Sequence, residues 1–346
     1  MSCHQIMKFF SIAATLALLS SGVSAFPTLI SKRDGSESTP TNKTILLTND
    51  DGWASTNIRA TYRELKSAGY DVLLVAPASQ KSGFGGLFDL PTSVNLTEEG
   101  EFGYPAKGSP SWGHEEDDIN VWYFDGTPAS CVSFGMDYLI PKHFHNKSVD
   151  LVIAGPNEGT NISPGMFTLS GTIGATYSAV GRGLPAIAFS GRLENNSFYQ
   201  DDIEKEDDDS FYANVYARKV VEIVNTLFTS QNNYPYLLPY TTGLNVNLPL
   251  INEDCMDPEW ALTRLSGQQS VSAGISYNET LGLFDWLDVH YDPTTKCIFG
   301  DCDLPSESTI YYKELCQISV SVFSIDYDAS YQQYRTAEKV LTSLFD

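Results

Sequence analysis

Two adjacent carboxylates, Asp50 and Asp51, follow the apolar run "TILLT" in the segment "TNDDG". Like charges this close repel each other and raise each other's pKa unless a cation compensates them. Two further polar loops follow apolar runs: "APASQKSG" offers Ser82, and "AGPNEGTN" offers Asn157 and Asn161. Hard cations such as Mg²⁺ and Mn²⁺ prefer carboxylate, hydroxyl and amide oxygens completed by water. Each loop alone fits a polar turn, but the three together favour a divalent metal site.

A fourth segment is suited to binding an anion. "LSGTIGATYSAVGRG" places Ser170, Gly171 and Thr172 at the start of a helical pattern. A helix N-terminus presents free backbone N–H groups and the positive end of the helix dipole, so it attracts phosphate. Taken alone, the segment is more typical of an ordinary Ser/Thr N-cap. A divalent cation beside an anion site would supply the components of metal-assisted phosphate ester hydrolysis.

Other catalytic chemistries find less support in the sequence. It contains no G-x-x-x-x-G-K-[ST], no G-x-G-x-x-G and no G-x-S-x-G motif, and none of its five histidines lies in the three loops. A glycosidase needs two carboxyl groups several ångströms apart across the sugar, which consecutive residues rarely provide. These observations disfavour histidine-based and glycosidic hydrolysis.

Short apolar runs alternate with helical patterns from residue 44 onwards. "TILLTN" and "YDVLLVAP" read as buried strands around the helical "IRATYRELKSAG", and "VDLVIAGPN" and "AIAFSG" enclose a second helical segment. This alternation predicts an α/β fold with a mostly parallel sheet covered by helices. Ligands bind beyond the carboxyl ends of such strands, so we expect the loops that begin at Asn49, Pro77 and Gly155 to share one rim.

The pattern changes near residue 250. The α/β rhythm fills residues 44–250, which we predict to be the catalytic core. Residues 251–346 carry short strands rich in Ser, Thr and Tyr and end in a helical pattern near 329–345. We predict that this part is a C-terminal extension of short strands and a terminal helix. Such extensions often serve oligomer contact.

The N-terminus has the composition of an export signal. Lys8 precedes the apolar run "FFSIAATLALL", and the small residues of "VSA" precede a cleavage point after residue 25. We expect residues 1–25 to be a signal peptide and 26–43 to be a flexible segment. Its Lys32–Arg33 pair is either a processing site or an ordinary basic pair. No later apolar stretch is long enough to span a membrane, so we expect a secreted, extracellular protein without a membrane partner.

Charge and modification motifs agree with this location. The formal net charge of −22 argues against nucleic-acid binding, which requires Lys and Arg to neutralise phosphates. Six N-x-[ST] sequons predict a glycoprotein, and they begin at Asn42, Asn95, Asn146, Asn161, Asn195 and Asn278.

Five cysteines remain after removal of the signal peptide. Four of them lie late in the chain, at positions 255, 297, 302 and 316, whereas Cys131 is isolated in "GTPASCVSFGM". In an exported chain we expect two disulfides among the late four, and a free core thiol at Cys131. Zinc is the alternative, but a C-x₄-C pair without a second pair or a nearby His is poor zinc spacing.

The ordered set "TNDDG", "APASQKSG", "GTPASCV", "GPNEGTN", "SGTIGAT" and "LNVNLP" resembles the SurE family of metal-dependent phosphatases and nucleotidases. The resemblance is strong over residues 43–250 and looser beyond. It implies a Rossmann-like α/β fold with helices on both faces of the sheet, and a C-terminal extension used in dimerisation, hence a homodimer. It also implies two sets of site residues. The metal ligands would be Asp50, Asp51, Ser82 and Asn157, and the phosphate site would be lined by Asn161, Ser170, Gly171 and Thr172.

The sequence departs from the family pattern at two positions. Ala78 stands where the family usually has an acid after "AP", and Ser130 stands where the "GTPxDC" segment has Asp. Neither is a proposed metal ligand, but both leave open how the nucleoside end of a substrate is bound.

Together the residues predict a secreted, metal-dependent phosphomonoesterase, either an acid phosphatase or a 5′-nucleotidase. A metal-activated water would attack a small phosphate monoester, and Asp50 or Asp51 would serve as a proton relay. The cofactor would be Mg²⁺ or Mn²⁺. The alternative is a catalytically inactive secreted protein that binds metal and phosphate on the same fold.

Overall fold

The computed structural model describes residues 42–193, 195–231, 236–268, 272–289, 297 and 300–345. The predicted signal peptide at 1–25 and residues 26–41 of the predicted flexible segment lie outside the described residues. Among the described residues, no helix combines the length and the apolar character needed to cross a bilayer.

A single large sheet organises the described chain. The described strands are β1 (Thr44–Thr48), β2 (Asp71–Pro77), β3 (Trp112–His114), β4 (Val121–Phe124), β5 (Leu151–Glu158), β6 (Ala186–Gly191), β7 (Thr242–Leu248), β8 (Glu259–Thr263), β9 (Ser272–Asn278), β10 (Leu283–Val289), β11 (Gln317–Ser324) and β12 (Tyr327–Asp328). The strand order of the large sheet is β12-β11-β7-β6-β5-β1-β2-β4-β3, with β8 also paired to β11. The six strands from β7 to β4 in this order are parallel to one another.

Helices cover both faces of the sheet. They are α1 (Thr56–Ser67), α2 (Pro128–Ser133), α3 (Ile140–His143), α4 (Gly165–Leu169), α5 (Gly171–Gly181), α6 (Tyr212–Ser230), α7 (Glu307–Tyr312) and α8 (Tyr331–Phe345). Strand β1 shows why two layers form. Its Ile45 and Leu47 join the apolar cluster that includes residues of α1, α6 and α8, whereas Leu46 joins the cluster with residues of α2 and α5. Alternate side chains of a strand point to opposite faces, so a fully apolar strand needs a cover on each side. The predicted α/β fold is confirmed.

The predicted C-terminal extension contributes to the same sheet. Strand β11 pairs antiparallel with β7 and parallel with β8, and α8 packs against α6. The short strands and the terminal helix are therefore present as predicted. Only β9 and β10 stand apart from the sheet among the described strands, as an antiparallel two-stranded hairpin.

The cysteine prediction is also confirmed. Cys255 is bonded to Cys316, and Cys297 is bonded to Cys302. The first bond ties the segment before β8 to the segment before β11, which are 61 residues apart. Cys131 is a buried free thiol in the cluster between the sheet and α2.

Candidate metal and phosphate site

Strand β1 delivers the two carboxylates to the carboxyl edge of the sheet. All five of its residues are buried, so the packing of the strand fixes where the following Asp50 and Asp51 begin. Gly52 closes the turn with φ +104°, a conformation that side-chain-bearing residues rarely adopt. A Cβ on Gly52 would also lie 3.1 Å from the Cβ of Glu101, which leaves little room for a larger residue.

Asp50 lies at the cavity and is fixed from the adjacent helix. The Thr172 hydroxyl donates to Asp50 Oδ1 at 2.5 Å, and the carboxylate is 1 % exposed. Gly171 permits this approach, because a Cβ there would come within 2.9 Å of Asp50 Oδ2. Burial raises the pKa of Asp50, while the hydrogen bonds from Thr172 and Gly171 partly oppose that rise.

Asp51 is fully buried next to Asp50. Gln80 Nε2 donates to its Oδ1 at 3.0 Å, and the backbone N–H of Glu158 donates to its Oδ2 at 2.8 Å. Burial and the neighbouring Asp50 carboxylate raise the pKa of Asp51 well above its usual range. Two uncompensated carboxylates are therefore costly in this position, and a cation would relieve that cost.

Asn157 reaches the site because β5 is irregular. The register between β5 and β6 shifts between Ala154 and Asn157, which is a bulge that redirects the following side chain. Asn157 Nδ2 donates to the backbone oxygens of Glu158 and Gly159 at 3.1 and 2.7 Å. These two bonds fix the amide so that Oδ1 is the free end. Oδ1 is buried and accepts no hydrogen bond.

An unpaired buried oxygen beside two carboxylates is the arrangement expected of a hard-cation ligand. Among the described residues, no three His, Cys, Asp or Glu side chains converge on one point. A cation here would therefore depend on neutral oxygens as well as on Asp50 and Asp51, as the sequence predicts. The residues present fit Mg²⁺ or Mn²⁺ better than softer metals, which prefer His and Cys.

The predicted phosphate segment begins helix α5. The Ser170 hydroxyl accepts from the backbone N–H of Ile173 at 3.2 Å, so Ser170 is the N-cap. Asn161 enters from the loop after β5 and is 5 % exposed. Its Nδ2 donates to the Ser190 hydroxyl at 2.7 Å, and its backbone N–H donates to Asn247 Oδ1 at 2.8 Å.

Ser82 lines the same cavity. Its backbone N–H donates to Gln80 Oε1 at 2.6 Å, and Gln80 in turn contacts Asp51. Ser82 is exposed, unlike the other predicted ligands. Ser82 therefore lines the cavity from a loop rather than from the edge of the sheet.

The eight predicted residues meet at one cavity of about 520 Å³. Five of them line it, namely Asp50, Ser82, Asn157, Asn161 and Ser170. The other three are buried beside Asp50, behind the wall, namely Asp51, Gly171 and Thr172.

The sequence reasoning missed one side of the cavity. Trp286 of β10 and the α7 residues Tyr311 and Tyr312 line it, together with Met166 and Leu169. The three aromatic residues come from the extension, more than a hundred residues beyond Thr172, the last of the predicted site residues. Nothing in their local pattern indicates proximity to Asp50.

Comparison with known proteins agrees with this arrangement. The family model described as "Survival protein SurE" matches residues 45–272. The chain belongs to the SurE family. An acid phosphatase of Yarrowia lipolytica is 44 % identical over 337 residues, covering 93 % of this chain and 92 % of that protein. A 5′-nucleotidase SurE of Methanococcoides burtonii is 33 % identical over 229 residues, covering 65 % of this chain and 74 % of that protein.

A solved structure shares this fold. The crystal structure of the SurE protein from Aquifex aeolicus aligns with a TM-score of 0.53 and 23 % identity, covering 86 % of this chain and 99 % of that one. At this identity the likeness concerns the fold. The match of the family model confirms the SurE resemblance inferred from the ordered motifs, and it extends past the predicted core to the first residue of β9.

Proposed function

We propose that this SurE-family chain is a secreted, metal-dependent phosphomonoesterase. Its relatives named acid phosphatase and 5′-nucleotidase support phosphatase activity. The observation that carries the metal dependence is the buried, unpaired Oδ1 of Asn157 beside Asp50 and Asp51. Those three residues and Ser82 would hold the cation.

The charge of the cavity also supports a cation. Among the described residues that line it, there is no Lys or Arg, whereas Asp50 and Glu158 contribute carboxyl groups. In their ionised forms these groups would repel a phosphate dianion unless a positive partner were present. When bound, the cation would polarise a phosphoryl oxygen and lower the pKa of a water molecule.

The residues around the cation would bind and orient the substrate. The N-terminus of α5 would offer the positive end of its helix dipole to the phosphoryl oxygens, because its first backbone N–H groups already donate to Asp50 and to the Ser170 hydroxyl. Asn161 faces the same volume from the loop after β5. The Thr172 hydroxyl holds the Asp50 carboxylate in one orientation. This carboxylate, a proposed ligand of the cation, would therefore already be in place before the substrate binds.

The leaving group would lie against Trp286, Tyr311 and Tyr312. Aromatic walls of this kind accept flat apolar groups, including aryl rings and nucleobases. The two family departures do not reach this wall, because Ala78 is buried and the Ser130 hydroxyl donates to the backbone oxygen of Thr127 at 2.8 Å. Both aryl phosphates and nucleoside monophosphates are therefore candidate substrates.

The test is hydrolysis of an aryl phosphate by the purified chain, across acidic to neutral pH. We expect turnover to disappear in excess chelator and to return with Mn²⁺ or Mg²⁺. Turnover that persists in chelator would refute the metal role. Asp51→Asn is expected to lose at least a hundredfold in kcat/KM, and full activity of that variant would refute the site. Binding of Mn²⁺ and phosphate without turnover would favour the inactive binding protein instead.

Export is supported by the two disulfides, which persist in oxidising compartments. The sequon at Asn161 is buried, and its amide is bonded to Ser190. We therefore expect glycans only on the other five sequons, whose asparagines are exposed or half-buried. Mass spectrometry before and after enzymatic deglycosylation would locate them, and a glycan on Asn161 of the folded protein would contradict this assignment.

We also propose a homodimer formed through the β9–β10 hairpin. An isolated two-stranded hairpin is marginally stable in water, yet this one exposes large apolar side chains. They include Ile275, Leu283 and Phe284, which are 71 %, 62 % and 67 % exposed. An apolar patch of this kind favours contact with a second copy.

A further inference from the structure

The carboxyl group of Glu307 is buried away from the cavity wall and has no part in the function proposed above. Glu307 is the first residue of α7 and is 0 % exposed. The backbone N–H of Ser163 donates to its Oε1 at 2.6 Å, and Asn245 Nδ2 donates to its Oε2 at 3.0 Å. The Ser321 hydroxyl is a third hydrogen-bond partner of the carboxyl group. Burying a carboxyl group is costly unless it is hydrogen-bonded, so these bonds are needed to keep it there.

These partners connect Glu307 to Asn161. Asn245 Nδ2 also donates to the backbone oxygen of Asn161 at 2.8 Å, and Asn247 accepts from the backbone N–H of Asn161 at 2.8 Å. The backbone of Asn161 is thus held on both sides by β7. Glu307 fixes Asn245 on one side and fixes Ser163, two residues further along the loop, on the other.

The other end of α7 reaches the cavity. Tyr311 lies one helical turn after Glu307, on the same side of the helix, and lines the aromatic wall. The guanidinium of Arg192 lies 4.5 Å from the centre of the Tyr311 ring, and its Nη2 donates to Glu314 Oε1 at 2.8 Å. One short helix therefore connects the loop of Asn161 with the wall of the cavity.

We propose that Glu307 is a positioning residue for phosphate binding. It holds the Asn161–Ser163 loop against the cavity and keeps α7 in the place from which Tyr311 contacts the leaving group. This inference rests on the proposed function. Because the loop would contact phosphate in the ground state and in the transition state alike, loosening it should raise KM with little change in kcat.

The decisive variant is Glu307→Gln. The ionised carboxyl group accepts from Ser163 and Asn245 through different oxygens, and an amide nitrogen cannot accept, so the glutamine can satisfy only one of these two donors. We expect an approximately tenfold increase in KM for an aryl phosphate and in the inhibition constant of inorganic phosphate, with kcat within about twofold. Ser308→Ala is the matched control. Ser308 is the next residue of α7, equally buried, and its hydroxyl has no hydrogen-bond partner, so we expect both constants to stay unchanged.

Unchanged KM and inhibition constants in folded Glu307→Gln would overturn the proposal, as would equal increases in the Ser308→Ala control. If Glu307→Gln does not fold, Glu307→Asp provides the same test, because its side chain is one methylene too short to reach both donors. Calorimetric titration of inorganic phosphate in the presence of Mn²⁺ separates this inference from the proposed function. Weaker phosphate binding by the variant supports the positioning role even if the parent protein shows no turnover.

Discussion

The hydrogen bond between Thr172 and Asp50 provides a sharp test of the site. Replacing Thr172 by Val keeps the shape of the side chain and removes only the hydroxyl that donates to Asp50 Oδ1 at 2.5 Å. A hydrogen bond to a charged group contributes about 1.5–3 kcal/mol, and each 1.4 kcal/mol corresponds to a factor of ten. We therefore expect kcat/KM to fall by about 10- to 150-fold. The Mn²⁺ concentration for half-maximal activity should rise, because Asp50 loses its fixed orientation.

Helix α5 contains its own control. Thr176 is also fully buried, but its hydroxyl donates to the backbone oxygen of Ile173 at 2.7 Å within the helix. Thr176→Val should therefore stay within about twofold of the parent in kcat/KM and in Mn²⁺ dependence. The assay is hydrolysis of an aryl phosphate during Mn²⁺ titration, with thermal unfolding of both variants measured in parallel. Equal effects of the two substitutions would refute the assignment of Asp50 as a ligand.

Three further predictions concern stability and assembly. Replacing both cysteines of the Cys255–Cys316 bond by Ala should lower the unfolding free energy by about 4 kcal/mol, and the same change at Cys297–Cys302 should lower it by about 2 kcal/mol. The first bond closes a loop of 61 residues and the second a loop of 5, so the first restricts the unfolded chain more. A reversed ranking in urea unfolding would contradict this. Burial raises the pKa of Glu307 to about 8 from an unfolded value near 4.5, so its contribution to stability is complete below pH 4.5 and is lost as the pH rises to 8. The unfolding free energy of the parent minus that of Glu307→Gln should therefore fall by a few kcal/mol over this range, whereas parallel pH profiles would exclude such a titration. Phe284→Asp, on the exposed hairpin, should convert the proposed dimer to a monomer in light scattering without changing the far-UV spectrum, and an unchanged mass would place the interface elsewhere.

Much of the fold could be predicted because its signals are local. Five consecutive buried residues in β1, followed by polar residues and Gly52, specify a strand that ends in a turn. Parallel strands bring their carboxyl ends to one edge, so Asp50 and Asn157 were expected together although 107 positions separate them. The disulfides followed from the clustering of four cysteines in an exported chain.

The remaining features depend on contacts between distant segments. Asn157 lines the cavity just after the irregularity in β5, with its Oδ1 buried and unpaired, and no local pattern distinguishes that placement from an ordinary polar turn. Trp286 and Tyr311 reach the cavity only because the extension folds back onto the sheet. The residues next to them in sequence do not indicate this position, because it depends on how distant segments of the chain pack together.

The sequence by itself determined the order of strands and helices, the oxygen-rich chemistry of the strand ends and the separation of the late cysteines from Cys131. These depend on periodicity, residue type and short spacing, which act over a few residues. The tertiary structure decided that Asp51 lies buried beside Asp50, that aromatic side chains close one wall, and that Glu307 supports the loop of Asn161. Each of these requires burial in an environment built from remote parts of the chain, and only the folded protein creates it.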